Sequence, residues 1–155
     1  MDSTTRQPPE GFEPMPLNIG FLDALAPLYI NREAQWPRFG IYVDAQHTNL
    51  MGICHGGVMM TLLDVGLSGA LRAAKAQERG VPTISLSVDF INAAQLGDWL
   101  EFRADSLELK RRFGFASGRL VVGDVDVAHG KGVVYLPDQG FELDPRAKSA
   151  FPLKQ

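Results

Sequence analysis

The sequence predicts an α+β domain in which one antiparallel sheet of about six strands wraps around a single long helix. Three observations carry this. The segment from about Gly56 to Gln77 is too long for a strand and rich in Leu, Met and Ala. After Pro82 the pattern changes to short β-branched and aromatic runs, "TISLSVDFI", "DWLEFRADSLEL", "GFASGRLVV" and "VAHGKGVVYL". Before the helix, "PLYINREA" and "RFGIYVDAQH" read as two further strands.

The elements follow in order. Residues 1–16 hold four of the ten prolines and show no periodicity, which predicts a loose arm. The folded domain is placed at residues 17–137. It opens on "NIGFLDAL", a short helix with Asn18 as its cap. The two early strands are expected to pair across the break at Trp36-Pro37, the second alternating Phe39, Ile41 and Val43. The long helix is apolar on nearly all sides and is closed by Gly80 and Pro82. The four later strands are joined by Leu96-Gly97-Asp98, Lys110-Arg111-Arg112 and Gly123-Asp124, joins short enough to predict a meander. Residues 138–155 form a tail with prolines and charges.

Composition narrows the function classes. At 155 residues, 45% hydrophobic and 21% charged, the chain matches one domain with a full core. A net charge of −3 without a basic stripe removes the electrostatic footprint of a nucleic-acid binder. A single cysteine, Cys54, excludes an intrachain disulfide framework and Cys-rich zinc sites, and fits a reducing, cytoplasmic setting. No uninterrupted run of about eighteen apolar residues is present, so membrane insertion is not expected. The polar, Pro-rich start is unlike a signal peptide.

Within the helix stands Asp64, a carboxylate in an apolar segment. An ionised acid buried without a partner is costly, so it needs a structural partner or a task. Asp64 follows Gly57 by seven residues, which returns it to nearly the same face, together with Thr61 and Ser68. Gly66 and Gly69 weaken the helix by roughly 1 kcal/mol each relative to Ala, so a close approach is expected there, with a second subunit as the candidate. At the helix start, "HGG" exposes backbone N–H groups that suit an anion or a developing oxyanion. Asn49 just upstream offers a side-chain amide. The plainer reading is that these glycines turn the chain while His55 caps or packs.

Asn49, Gly52, His55, Gly56, Gly57 and Asp64 together resemble the hotdog-fold acyl-CoA thioesterases of the phenylacetate-pathway type, the branch that holds the human thioesterase superfamily member. The resemblance runs from about Phe21 to Leu136 and includes "GFLDAL" and "SVDFINAAQLGDWLEFRA". It implies a hotdog fold and hydrolysis of an acyl-CoA without a cofactor. It also implies residue roles. Asp64 activates water or attacks directly, the Gly56 N–H polarises the thioester carbonyl, and Asn49 orients the substrate. A hydroxyl on the next strand, Thr83 or Ser85, holds the water. Gly57 belongs to the substrate-binding turn, and His55 is expected to shape that turn rather than act as the base.

Other residues point less far. Cys54 beside His55 lacks a third orienting group. His47, His55 and His129 show no metal-ligand spacing, so no metal site is expected. Lys110-Arg111-Arg112 reads as a solvated turn with coenzyme A phosphates as the alternative, and "HGKG" as a bulge or tight turn. Two competing functions stay open. An acyl-CoA hydratase or dehydratase would need a histidine paired with an acid. A non-catalytic acyl-CoA-binding regulator would carry an appended DNA-binding domain, for which the residues ahead of the fold are too few. A homo-oligomer, dimer or dimer of dimers, is expected, because an open antiparallel sheet leaves edges that need cover. Helix length adds that its active sites are shared. Gly57 and Asp64 lie roughly 10 Å apart along the axis, too far for one carbonyl to touch both within one chain.

Overall fold

The computed structural model describes residues 6–16 and 20–150. Seven strands, β1 (Glu13–Pro14), β2 (Tyr29–Asn31), β3 (Arg38–Tyr42), β4 (Thr83–Phe90), β5 (Trp99–Leu109), β6 (Phe113–Val122) and β7 (Val125–Tyr135), form one sheet. Every pairing is antiparallel, and the order is β1-β2-β3-β5-β6-β7-β4. The helix α1 spans Gly56–Lys75, and a short α2 spans Pro145–Ala150. This is the hotdog arrangement, an α+β fold.

The four late strands are not one meander. Only β5, β6 and β7 follow one another; β4 pairs with β7 at the sheet's far edge, and β5 pairs with β3. Alternation fixes which face a strand buries but leaves its neighbour undetermined. Residues 91–98 make the crossover, and they bond the segments just before α1 through Cys54 N–H to Ala94 O (2.9 Å) and Gly97 N–H to Val43 O (2.7 Å).

One stripe of α1, Met59, Leu62, Leu63, Gly66, Leu67, Ala70 and Leu71, is buried on the sheet. The spacing puts these residues on one helical face, and they meet Phe39, Ile41, Leu100, Phe102, Leu120 and Val134 in the core. The opposite side, with Gly57 and Met60, stays exposed, so the sheet of one chain covers α1 on one side. By length and hydropathy α1 also passes as a membrane span, as core helices of this kind do. The helix glycines have partners within the chain. A Cβ at Gly66 would lie 2.3 Å from Phe102 Cγ, and one at Gly69 would lie 3.0 Å from Phe39 Cζ. Within the chain the close approach is to aromatic rings of its own sheet. The same device explains "HGKG", which is regular strand inside β7: Cβ atoms at Gly130 and Gly132 would lie 2.9 and 3.2 Å from Leu63 and Leu67.

Several boundaries shift. α1 stops at Lys75 because Ala76 turns left-handed (φ 53) and Gln77 N–H bonds Arg72 O, two residues short of the expected end. "NIGFLDAL" yields one 3-10 turn, Phe21–Leu25, after Gly20; its expected cap Asn18 lies outside the described residues. The first sixteen residues, where described, are not loose. Tyr42 Oη–H donates to Gln7 O (2.8 Å), Phe12 sits edge-on to Trp99 (5.0 Å), β1 pairs with β2, and Met15 is buried. Two isolated apolar residues among prolines carry no period, so this docking leaves no sequence pattern.

Candidate active site

The loop ahead of α1 is built by Asn49. Its Oδ1 accepts the N–H of Met51 (2.9 Å) and of Ile53 (3.4 Å), while Gly52 N–H donates to Asn49 O (2.9 Å) with Gly52 at φ 74. The carbonyl half of the Asn49 amide is therefore spent on the turn. Its N–H₂ group is the half left to meet a ligand.

His55 is the N-cap of α1. Its Nδ1 accepts Gly57 N–H at 2.8 Å, which leaves that nitrogen bare and puts the ring proton on Nε2. The cap occupies the Gly57 N–H, so that N–H is not free to donate to a ligand. Gly56 N–H has no partner among the described residues and stands at the positive end of a 20-residue helix. The ring of Phe90, at the end of β4, packs over it: a Cβ on Gly56 would lie 3.3 Å from Phe90 Cζ.

Asp64 lies two turns further, half-buried, and its Oδ1 accepts the Thr83 hydroxyl at 2.6 Å. A β-bulge decides which hydroxyl reaches it. Cross-strand partners share a face; Thr83 pairs with Val134, which is buried under α1, whereas Ser85 pairs with Val133 on the outer face. Without the register shift between Thr83 and Ser85 the two would point the same way. Ser85 instead lines an outer groove with Ser87, Ser117 and Lys131. Thr61 and Ser68 donate to carbonyls one turn back, Gly57 O (2.8 Å) and Asp64 O (2.7 Å), so neither hydroxyl meets the carboxylate. We therefore expect Thr83→Val to lower turnover about 10-fold or more, the scale of a hydrogen bond to a charged group. Ser85→Ala should leave it within about 2-fold, and steady-state kinetics on the two variants separates them.

The remaining candidates lie apart. Cys54 is buried, and burial pushes its thiol up to about 11, which withdraws it from nucleophilic chemistry near neutral pH. His47 is buried with Nδ1 accepting Asp44 N–H (3.0 Å), and His129 pairs with Asp126 (2.9 Å) on β7. Among the described residues no group of three or more His, Cys, Asp or Glu is placed to hold a metal ion. Lys110 pairs with Glu108 beside the β5–β6 turn.

A half-buried carboxylate and a free helix-start N–H thus stand on one helix of a hotdog scaffold. Residues 51–129, half of the chain, match the profile of the thioesterase superfamily. A Pseudomonas aeruginosa protein that carries an esterase name is 38% identical over 130 residues, 83% of this chain and 97% of that one. Acyl-coenzyme A thioesterase 13 of Mus musculus is 34% identical over 77 residues, covering 48% of this chain and 53% of the mouse protein. Zebra fish thioesterase superfamily member 2 superposes with a TM-score of 0.70 at 25% identity, over 76% of this chain and 87% of that one. The chain belongs to the thioesterase superfamily.

Proposed function

We propose that this protein hydrolyses an acyl-CoA thioester to the free acid and coenzyme A. The observation that carries the reading is that each chain presents both an unspent N–H, at Gly56, and a carboxylate, Asp64, held by the Thr83 hydroxyl, the N–H of one subunit and the carboxylate of its partner meeting at one carbonyl. The thioester carbonyl accepts from Gly56 N–H, and the Asn49 amide N–H₂ orients the acyl group. Thr83 spends its proton on Asp64, so its oxygen is free to accept a hydrogen bond from water. With Asp64 as general base, water attacks the carbonyl carbon and gives its proton to the carboxylate. The tetrahedral oxyanion is held at the helix start, the C–S bond breaks, and the thiolate leaves with that proton. With Asp64 as nucleophile, the same geometry passes through an anhydride that water opens.

A homodimer, alone or doubled, completes the site. The strand β4 is a sheet edge, and its Ile84 and Phe90 are 54% and 53% exposed; the uncovered side of α1 lies beside it with Met60 at 40%. A second copy covers both, as an open apolar edge requires. A cytoplasmic site of action fits the single buried thiol. The name of the mouse relative supports the substrate class.

The test is release of free thiol from a panel of short, medium, long and aryl acyl-CoAs. Release from at least one, at a rate proportional to enzyme, is the expected result. Hydration of an enoyl-CoA without thiol release would favour the hydratase reading instead. Tight binding of an acyl-CoA with no turnover across the panel would favour a binding protein.

A further inference from the structure

Thr83 is the first residue of β4, so its place depends on the loop that delivers it, residues 76–82. The bulge after it leaves one ladder pair, with Val134, on its side, extended by Tyr135 N–H to Pro82 O (2.9 Å). At its helix end the loop is held by α1 itself: Gln77 N–H bonds Arg72 O (3.0 Å), and the Arg72 guanidinium reaches Arg79 O and Glu78 O, both at 3.3 Å. Val81 packs on the core, and the other hydrogen bonds on the loop, among the described residues, come from beyond β7. Gln77 Nε2 donates to Pro137 O (2.8 Å), Gly80 N–H to Phe141 O (2.8 Å), and Arg79 to Gly140 O (3.0 Å) and the Glu142 carboxylate.

That segment holds an unusual shape to make these bonds. Gly140 (φ 73) and Phe141 (φ 51) are both left-handed, and a phenylalanine adopts that region at a cost that surrounding contacts must offset. Phe141 is fixed by its ring, edge-on to Tyr135 at 6.0 Å, and by its carbonyl on Gly80. The fit is tight, since a Cβ on Gly80 would lie 3.3 Å from Phe141 O.

We propose that residues 137–143 are a strap that sets Thr83 against Asp64, with Arg79 as the positioning residue through which the chain's C-terminal part controls turnover. The inference rests on the thioesterase reading for its kinetic consequence and not for its structural one. The strap itself bonds neither Asp64 nor Gly56 among the described residues, so its effect passes through the loop.

The test uses two full-length variants that open the strap differently. Arg79→Met removes the bonds to Gly140 and Glu142. Gly140→Ala acts through the backbone alone, because a Cβ there meets nothing within 4 Å while φ 73 is strained for it. Both should speed hydrogen exchange in a peptide spanning residues 78–90 and lower kcat about 5- to 10-fold with KM nearly unchanged. Arg79→Lys, which keeps a cation for Glu142, should recover part of the loss. The loss should also vanish when either change is made on top of Thr83→Val, since two changes acting through one hydrogen bond are not additive. Unchanged exchange in both variants overturns the strap. An equal kcat loss with and without Thr83→Val overturns its route through the Thr83 hydroxyl. A wild type that releases no thiol, with exchange altered as expected, overturns the thioesterase reading and leaves the strap standing as a structural device.

Discussion

Asp64→Asn should fold normally and lose turnover by about 100-fold or more, the scale of removing a positioned base. The substitution is nearly isosteric, and an amide oxygen still accepts the Thr83 hydroxyl, so the 2.6 Å contact has a successor and the site keeps its shape. What is lost is the negative charge that, in the proposed mechanism, takes a proton from water or attacks the carbonyl. KM should stay close to wild type, because the carbonyl donor at Gly56 and the Asn49 amide are untouched. The measurement is thiol release with circular dichroism melting as the control. Near-normal turnover in the folded variant would reject the catalytic role. A melting temperature that falls while the rate holds would mark Asp64 as a structural acid bonded by Thr83.

Much of this site is legible in the sequence because it is local. Asn49, Gly52, His55, Gly56 and Gly57 lie within nine residues, and the turn that joins them is made by Asn49's own side chain and by Gly52's positive φ. Helical period then carries the reading from Gly57 to Asp64 with no tertiary information. The reading fails where geometry is non-local. Thr83 and Ser85 are equivalent until β7 imposes a bulge, and the order of β4 and β5 is set by which edge of the sheet each meets. Gly66 carries the same lesson: its spacing shows that something comes close, but only the fold shows that it is the ring of Phe102. The docking of residues 137–143 rests mostly on backbone carbonyls, which every residue has, and the Glu142 carboxylate and Phe141 ring that add to it are too few to make a side-chain pattern.

Mixing two inactive proteins should restore activity if each active site is built from two chains. Gly56 and Asp64 are eight residues apart on a straight helix, roughly 12 Å along the axis, which no single thioester carbonyl bridges. In the proposed dimer a second α1 packed antiparallel beside the first would bring its Asp64 opposite the first helix's start, and the exposed side of α1 next to the β4 edge offers the surface for it. One parent is Asp64→Ala. The other is Gly56→Pro, which deletes the donor N–H while proline remains well suited to the first helical position; the half-exposed Phe90 ring has room to yield. Co-expression with separate tags yields homodimers and hybrids, and at random half of all dimers are hybrids. Each hybrid holds one site with both groups intact and one with neither, so the mixture should recover roughly a quarter of wild-type activity and purified hybrids roughly half. Light scattering supplies the prior condition: a mass of one chain, 17.0 kDa, at micromolar concentration removes the dimer and the shared site together. If hybrids form as readily as wild-type dimers and stay as inactive as both parents, Asp64 acts on a carbonyl bound within its own chain, and the donor must then be sought nearer to it than Gly56.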